Sequence, residues 1–259
     1  MTAATRRRIP VSFVLLVLVF VVFAGSVAVA LVARLPACQF TPAGQCTRVL
    51  FIGNSYTFVN DLPGTFARLA ASGGHKVETA MIAPGGAFLA DEAADASVGA
   101  AITGTRWAAV VLQEQSERPA SVAERADFIS AVNRLAAMTL DDGARPLLLE
   151  TWAHRDGWPD LQMDYGAMQA AIDEAYAQAA TQTGSTVIPA GEAWQRALAA
   201  NPTIALWQDD GSHPAPAGTY LAACVVYRSV FGESPVGLRD HEGLPDDVAA
   251  ALQAIAAGG

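Results

Sequence analysis

Three cysteines and four histidines in 259 residues, with no Cys-x-x-Cys and no paired His/Cys spacing, leave little from which to build a structural metal site. Also missing are a Walker loop, a Gly-x-Gly-x-x-Gly after the first strand and a His-Glu-x-x-His, so nucleotide, dinucleotide and zinc-protease chemistry find no motif here. Positive charge is scarce: 16 Lys and Arg face 25 Asp and Glu, a net −9. No acidic residue precedes Asp61, and without the four arginines at 6, 7, 8 and 34 the net charge becomes −13. Such a surface repels phosphate, and no basic or aromatic stripe offsets it, so no nucleic-acid partner is expected. No metal or organic cofactor is expected either.

Acidic residues give way at the N-terminus to a long apolar run. Arg6, Arg7 and Arg8 precede uncharged residues 11–33, long enough for a bilayer, which needs roughly 20 apolar residues. Residues 1–35 therefore read as a signal anchor, holding the chain to the membrane with the rest outside, or as a signal peptide cut near Ala28-Val29-Ala30. Lipid attachment at Cys38 is a weaker reading, since Pro36 and Arg34 are unusual there. Either main reading exports residues 47–259 as one domain behind a short linker at 36–46. Cys38 and Cys46 flank a turn-rich loop that would accept a disulfide in an oxidising compartment, and Cys224 reads as a buried free thiol.

Beyond residue 47, short runs rich in Val, Ile and Leu alternate with stretches of helical period. Strands are predicted at 48–52, 77–82, 108–113, 146–151 and 186–188, with helices at 62–71, 90–102, 122–140, 165–182, 192–199, 217–231 and 246–257. Apolar strands joined by helical crossovers predict a flavodoxin-like three-layer α/β/α sandwich on a five-stranded parallel sheet. In that fold ligands gather beyond the carboxyl ends of the strands where the order reverses, between the first and third strands. The loops after Ile52 and Gln113 are thus the ones to read.

The first of these runs Gly53-Asn54-Ser55-Tyr56-Thr57. A serine at the mouth of a helix has an exposed hydroxyl and a free N–H to meet an oxyanion, although Ser55 or Thr57 could equally cap the helix. Near the other end, Asp210-Gly211-Ser212-His213 puts a carboxylate and an imidazole three positions apart in a glycine-containing loop. A turn there brings Asp210 back to Nδ1 and leaves Nε2 to take a proton from a nucleophile, and Pro214 helps fix the backbone of His213.

Together these two blocks resemble those of the SGNH (GDSL-like) hydrolase family, over roughly residues 47–235. The resemblance implies Ser55 as nucleophile, His213 as base, Asp210 as the partner of that histidine, and ester hydrolysis as the outcome. Asn54 stands where the family usually has aspartate. Pro84-Gly85-Gly86-Ala87 offers an oxyanion-hole N–H alongside that of Ser55, from Gly86 in preference to Gly85, though a plain turn would read the same way. The family's Gly-x-Asn-Asp block is replaced by Gln113-Glu114-Gln115-Ser116. The chain therefore looks like a divergent branch in which a glutamine amide completes the oxyanion hole, Gln115 first and Gln113 second, against a purely bracing role for both.

Trp152 and His154, at the end of the fourth strand, and Trp207 are further candidates for lining a substrate pocket, though each could be packing. His75 and His241 are expected in solvent. The resulting expectation is a serine esterase releasing small acyl groups, acetyl foremost, from a small-molecule or carbohydrate ester outside the cytoplasm. The rival readings are an extracytoplasmic O-acyltransferase on polysaccharide and a non-catalytic carbohydrate-binding module.

Overall fold

In the computed structural model, which describes Cys38 and residues 44–258, five apolar segments form strands: β1 Thr47–Ile52, β2 Val77–Ile82, β3 Ala109–Leu112, β4 Arg145–Glu150 and β5 Thr186–Pro189. All pair in parallel in the order β2-β1-β3-β4-β5, as expected for a flavodoxin-like sheet. The helices are α1 Ser55–Phe58, α2 Leu62–Ser72, α3 Leu89–Ala94, α4 Ala96–Thr103, α5 Arg125–Asp141, α6 Tyr165–Thr183, α7 Ala190–Ala200, α8 Pro216–Phe231 and α9 Asp246–Ala257. The expected anchor or signal segment at 1–35, and most of the linker at 36–46, lie outside the described residues. Among those that are described, no helix is long and apolar enough to cross a membrane.

The three layers follow from the two-residue period of a strand. In β1, Val49 and Phe51 face a core shared with α2, α7, α8 and α9, while Leu50 and Ile52 face a second core shared with α3, α4, α5 and α6. Because both faces are covered, central strands β1 and β3 are apolar without alternation. The edge strand β2 is only half covered and leaves Met81 exposed. Cys38 and Cys46 form a disulfide just before β1, and the Cys38 N–H donates to Glu78 in β2 at 3.2 Å. Cys224 lies buried in α8, where burial pushes its thiol pKa up.

Two expected helices differ. The stretch at 90–102 splits at Asp95, whose carboxylate accepts the Ser97 N–H at 2.7 Å and caps α4 while its extended backbone ends α3. The helix expected from 122 begins at Arg125, since residues 118–120 form a 3-10 turn and Val122 stands in solvent.

Candidate active site

Ser55 opens α1 directly after β1. Asn54 caps that helix through Oδ1, which accepts the Tyr56 N–H at 3.1 Å. The N–H groups of Thr57 and Phe58 go to the Asn54 carbonyl, which leaves that of Ser55 free at the helix mouth. Gly53 is required by crowding: a Cβ there would sit 2.5 Å from Gln113 Oε1 and 2.8 Å from Thr57 Oγ1.

From the far end of the chain, the loop before α8 brings His213 to this point. Its Nε2 lies 2.9 Å from Ser55 Oγ, and its Nδ1 lies 2.6 Å from Asp210 Oδ2. Asp210 Oδ1 accepts the N–H groups of Ser212 and His213 at 2.9 and 3.0 Å. Partial burial raises the Asp210 carboxyl, but these hydrogen bonds outweigh it and hold the group below its ordinary pKa.

Beneath the loop is a stack of aromatic rings. Tyr56 lies flat on Trp152 at 4.9 Å, Trp152 lies flat on Trp194 at 4.2 Å, and the Tyr56 ring meets His213 edge-on. Trp152 Nε1 donates to the Ser212 carbonyl at 3.1 Å, and the Tyr56 hydroxyl lies 2.7 Å from Ser212 Oγ. Trp152 is therefore fully buried support rather than the pocket wall expected of it. Trp207 is corrected likewise: its Nε1 donates to the Ala153 carbonyl, its ring packs against Trp194 and Tyr165, and it does not line the cavity.

A cavity of about 500 Å³ opens over Ser55 and His213, lined further by Gly85, Gly86, Gln115, Ser116, Glu117 and His154. Gln115 Oε1 accepts the N–H groups of Glu117 and Arg118, so its carbonyl end points into its own loop. Its amide nitrogen has only a long 3.4 Å contact to Ser116 Oγ. Gln113 is a correction. It is buried, its Oε1 accepts from the Asn54 N–H and Thr57 Oγ1, and its Nε2 donates to Asn54 Oδ1 and the Glu114 carbonyl. With both amide hydrogens committed, Gln113 braces the nucleophile loop and has no donor left for an oxyanion.

His154 does line the cavity, with Nε2 3.1 Å from Ser116 Oγ. Burial lowers its pKa, with Glu117 and Asp210 pulling the other way. His75 and His241, expected in solvent, are 27% and 26% exposed, and each is held by partners at the surface. His75 stacks on Phe231 at 3.8 Å and pairs with Glu233 at 3.0 Å, and His241 pairs with Asp246.

Sequence reasoning missed Tyr56, Ser116, Glu117 and Ser212, all of which face the cavity. Position alone could have found them, since each lies within two residues of one singled out, Tyr56 beside Ser55, Ser116 and Glu117 after Gln115, and Ser212 before His213. It also missed Glu114, whose buried Oε1 accepts the N–H groups of Leu89 and Gln115. Among the described residues, no three His, Cys, Asp or Glu side chains converge to hold a metal.

No protein-family model matches the chain, and no curated protein does. Solved structures do. A protein from Slackia heliotrinireducens assigned to the SGNH hydrolases is 31% identical over 71% of this chain and 98% of its own, with a TM-score of 0.62. A DUF4886 family protein from Bacteroides uniformis is 18% identical over 82% and 93%, with a TM-score of 0.67. A mutant acetyl-xylooligosaccharide esterase from Geobacillus is 16% identical over 75% and 97%, with a TM-score of 0.57. The last two are likenesses of fold. The first, matched over nearly its whole length at an identity that fold alone does not require, settles the family: the chain belongs to the SGNH (GDSL-like) hydrolases and is an enzyme acting on ester bonds.

Proposed function

We propose that the chain cleaves small acyl esters, acetyl esters foremost, through an acyl-enzyme on Ser55, and that it does so outside the cytoplasm. The observation that carries this is the unbroken line of contacts from Asp210 through His213 to Ser55, at 2.6 and 2.9 Å. Ser55 Oγ bonds to the ester carbonyl carbon as its proton passes to His213 Nε2. The N–H groups of Ser55 and Gly86 and the Gln115 amide hold the oxyanion. The carbon–alkoxy bond then breaks and His213 returns the proton to the departing alcohol. Water repeats the attack, giving its proton to His213; the bond to Ser55 breaks, and the acid leaves with Ser55 reprotonated.

The acetyl preference rests on the cavity wall, where glycines, amides, hydroxyls and ionisable groups surround Ser55 and, beside the two imidazoles, Tyr56 supplies the one ring among the described lining residues. Among the described residues that line it, no aliphatic side chain covers a long acyl chain. The likeness to an acetyl-xylooligosaccharide esterase points the same way. Export rests on the arginine-led apolar run of the N-terminus and on the Cys38–Cys46 disulfide, a bond kept in oxidising compartments.

The test is Ser55→Ala. The parent is expected to hydrolyse p-nitrophenyl acetate and to be labelled at Ser55 by a fluorophosphonate, and the variant to lose at least about 10⁴-fold in kcat. Equal rates, or labelling elsewhere, refute the nucleophile. Hydrolysis of p-nitrophenyl decanoate faster than of the acetate refutes the short-acyl reading. Recovery of the expressed full chain in the cytosolic fraction refutes export.

A further inference from the structure

A second imidazole shares the cavity with His213. His154 comes from the loop after β4, Ser116 and Glu117 come from the loop after β3, and the three line the same cavity as Ser55. Their spacing is unequal. His154 Nε2 lies at hydrogen-bond distance from Ser116 Oγ, 3.1 Å, whereas Nδ1 lies 4.0 Å from Glu117 Oε1. The second separation is too long for a hydrogen bond. In the tautomer in which Ser116 donates to Nε2, Nδ1 carries the proton, and a ring N–H donor and a carboxylate acceptor then face each other across a gap with neither satisfied by the other.

A single hydroxyl fits such a gap, accepting from Nδ1–H and donating to Glu117. His154 shares its cavity with the catalytic loop: Ser212 and His213 line the same space as Ser116 and the imidazole, and the Tyr56 hydroxyl between them lies 2.7 Å from Ser212 Oγ. A pair serving only as packing would need neither a partly exposed carboxylate nor an open cavity beside it. The His154 and Glu117 side chains are 18% and 38% exposed.

Resting on the esterase reading above, we infer that Ser116, Glu117 and His154 form a specificity subsite for the alcohol half of the ester, selecting alcohols that carry a free hydroxyl next to the acylated one. The acyl half needs only the oxyanion donors and a small space. The alcohol half must lie toward His213, which returns its proton, and the polar wall continues from there to His154. A site built to hydrogen-bond a hydroxyl rejects an ester lacking one, because its own polar groups are then desolvated without a partner. These residues determine specificity and take no part in the proton transfers at Ser55.

The test compares two acetates that differ by one hydroxyl, 2-hydroxyethyl acetate and ethyl acetate, with acetate release followed in a pH-stat. The parent is expected to favour the hydroxylated ester in kcat/KM. In His154→Phe that preference falls by about 10-fold or more, mainly through KM, and in Ser116→Ala by a smaller factor in the same direction. Each variant is first shown to keep the parent's near-UV dichroism and fluorophosphonate labelling at Ser55. A preference unchanged in either variant so qualified overturns the subsite. A parent that is not labelled at Ser55 and releases acetate from neither ester fails the esterase reading itself, a distinguishable result.

Discussion

Glu114 offers a measurable test of how the two loops flanking Ser55 are held. Its carboxyl is fully buried, with Oε1 accepting the N–H of Leu89 at 3.1 Å and that of Gln115 at 2.7 Å, while Oε2 has no partner. Burial pushes its pKa up from 4.5 to about 7, against the opposing pull of the two backbone hydrogen bonds and Arg118; Asp91 adds a small push upward. The folded chain therefore keeps this proton to about pH 7, whereas the unfolded chain releases it near 4.5. Between those values the unfolded state binds fewer protons, so this residue makes folding less favourable as pH rises, by about 3 kcal/mol once the window is crossed. Glu114→Gln removes the titration and keeps an oxygen for both N–H groups. Urea unfolding followed by circular dichroism at pH 4 and pH 8 should show the variant gaining roughly 3 kcal/mol on the parent across that interval. Parallel stability curves would refute the argument, for then Glu114 would titrate alike in both states.

Four further outcomes follow from the site. Asp210→Asn leaves the His213 ring without its carboxylate, and kcat should fall about 10³- to 10⁴-fold with little change in KM, measured with p-nitrophenyl acetate. Gln115→Ala should cost about 10²- to 10³-fold in kcat at unchanged Tm, whereas Gln113→Ala should lower Tm by freeing Asn54 and Thr57; the opposite pattern would exchange their roles. Trp152→Phe keeps a ring in the stack but strips the Ser212 carbonyl of its donor, so urea titration should show a loss of about 1–3 kcal/mol, with kcat down about 10-fold. Gly218 lies where a Cβ would meet the Leu206 carbonyl at 2.3 Å and Trp194 Cζ2 at 2.5 Å, so Gly218→Ala should cost about 2–3 kcal/mol, read as a drop in Tm of roughly 5–10 °C.

The sheet was legible because its signal is local and repeated. Runs such as Val49-Leu50-Phe51-Ile52 are apolar on both pleat faces, which only a doubly covered strand requires, and helical stretches between such runs leave parallel crossovers as the simple connection. The break at Asp95 was not legible, because the alanine-rich residues around it read as one helix. Whether an aspartate caps a new helix or rides on an old one depends on a single backbone angle. Ser55, Asp210 and His213 were readable for a different reason: a glycine-bearing strand end and an i, i+3 carboxylate–imidazole pair each carry their geometry within a few residues. Trp152 could not be sorted in the same way, since what buries it is Tyr56 on one face and Trp194 on the other, 96 and 42 positions away. The Ser116–His154 contact spans 38 positions and two strand ends, and no spacing rule encodes it.

Asn54 and Gln113 stand in the two blocks that the sequence comparison with the family singled out as unusual, and they touch each other. Gln113 Nε2 donates to Asn54 Oδ1, and the Asn54 N–H donates to Gln113 Oε1, closing a reciprocal pair between the loops after β1 and β3. The other end of the Asn54 amide donates through Nδ2 to the Ala87 carbonyl, tying in the loop of Gly85 and Gly86. An aspartate at 54 has no hydrogen for Ala87 and would set a negative charge against that carbonyl in a buried place, so asparagine is what this arrangement demands. Once Gln113 is spent on Asn54, Thr57 and Glu114, the amide left facing the cavity from that loop is Gln115. Asn54 and Gln113 are thus one linked pair rather than two separate features, and they brace the strand ends around Ser55 while Ser55, His213 and Asp210 make their own contacts.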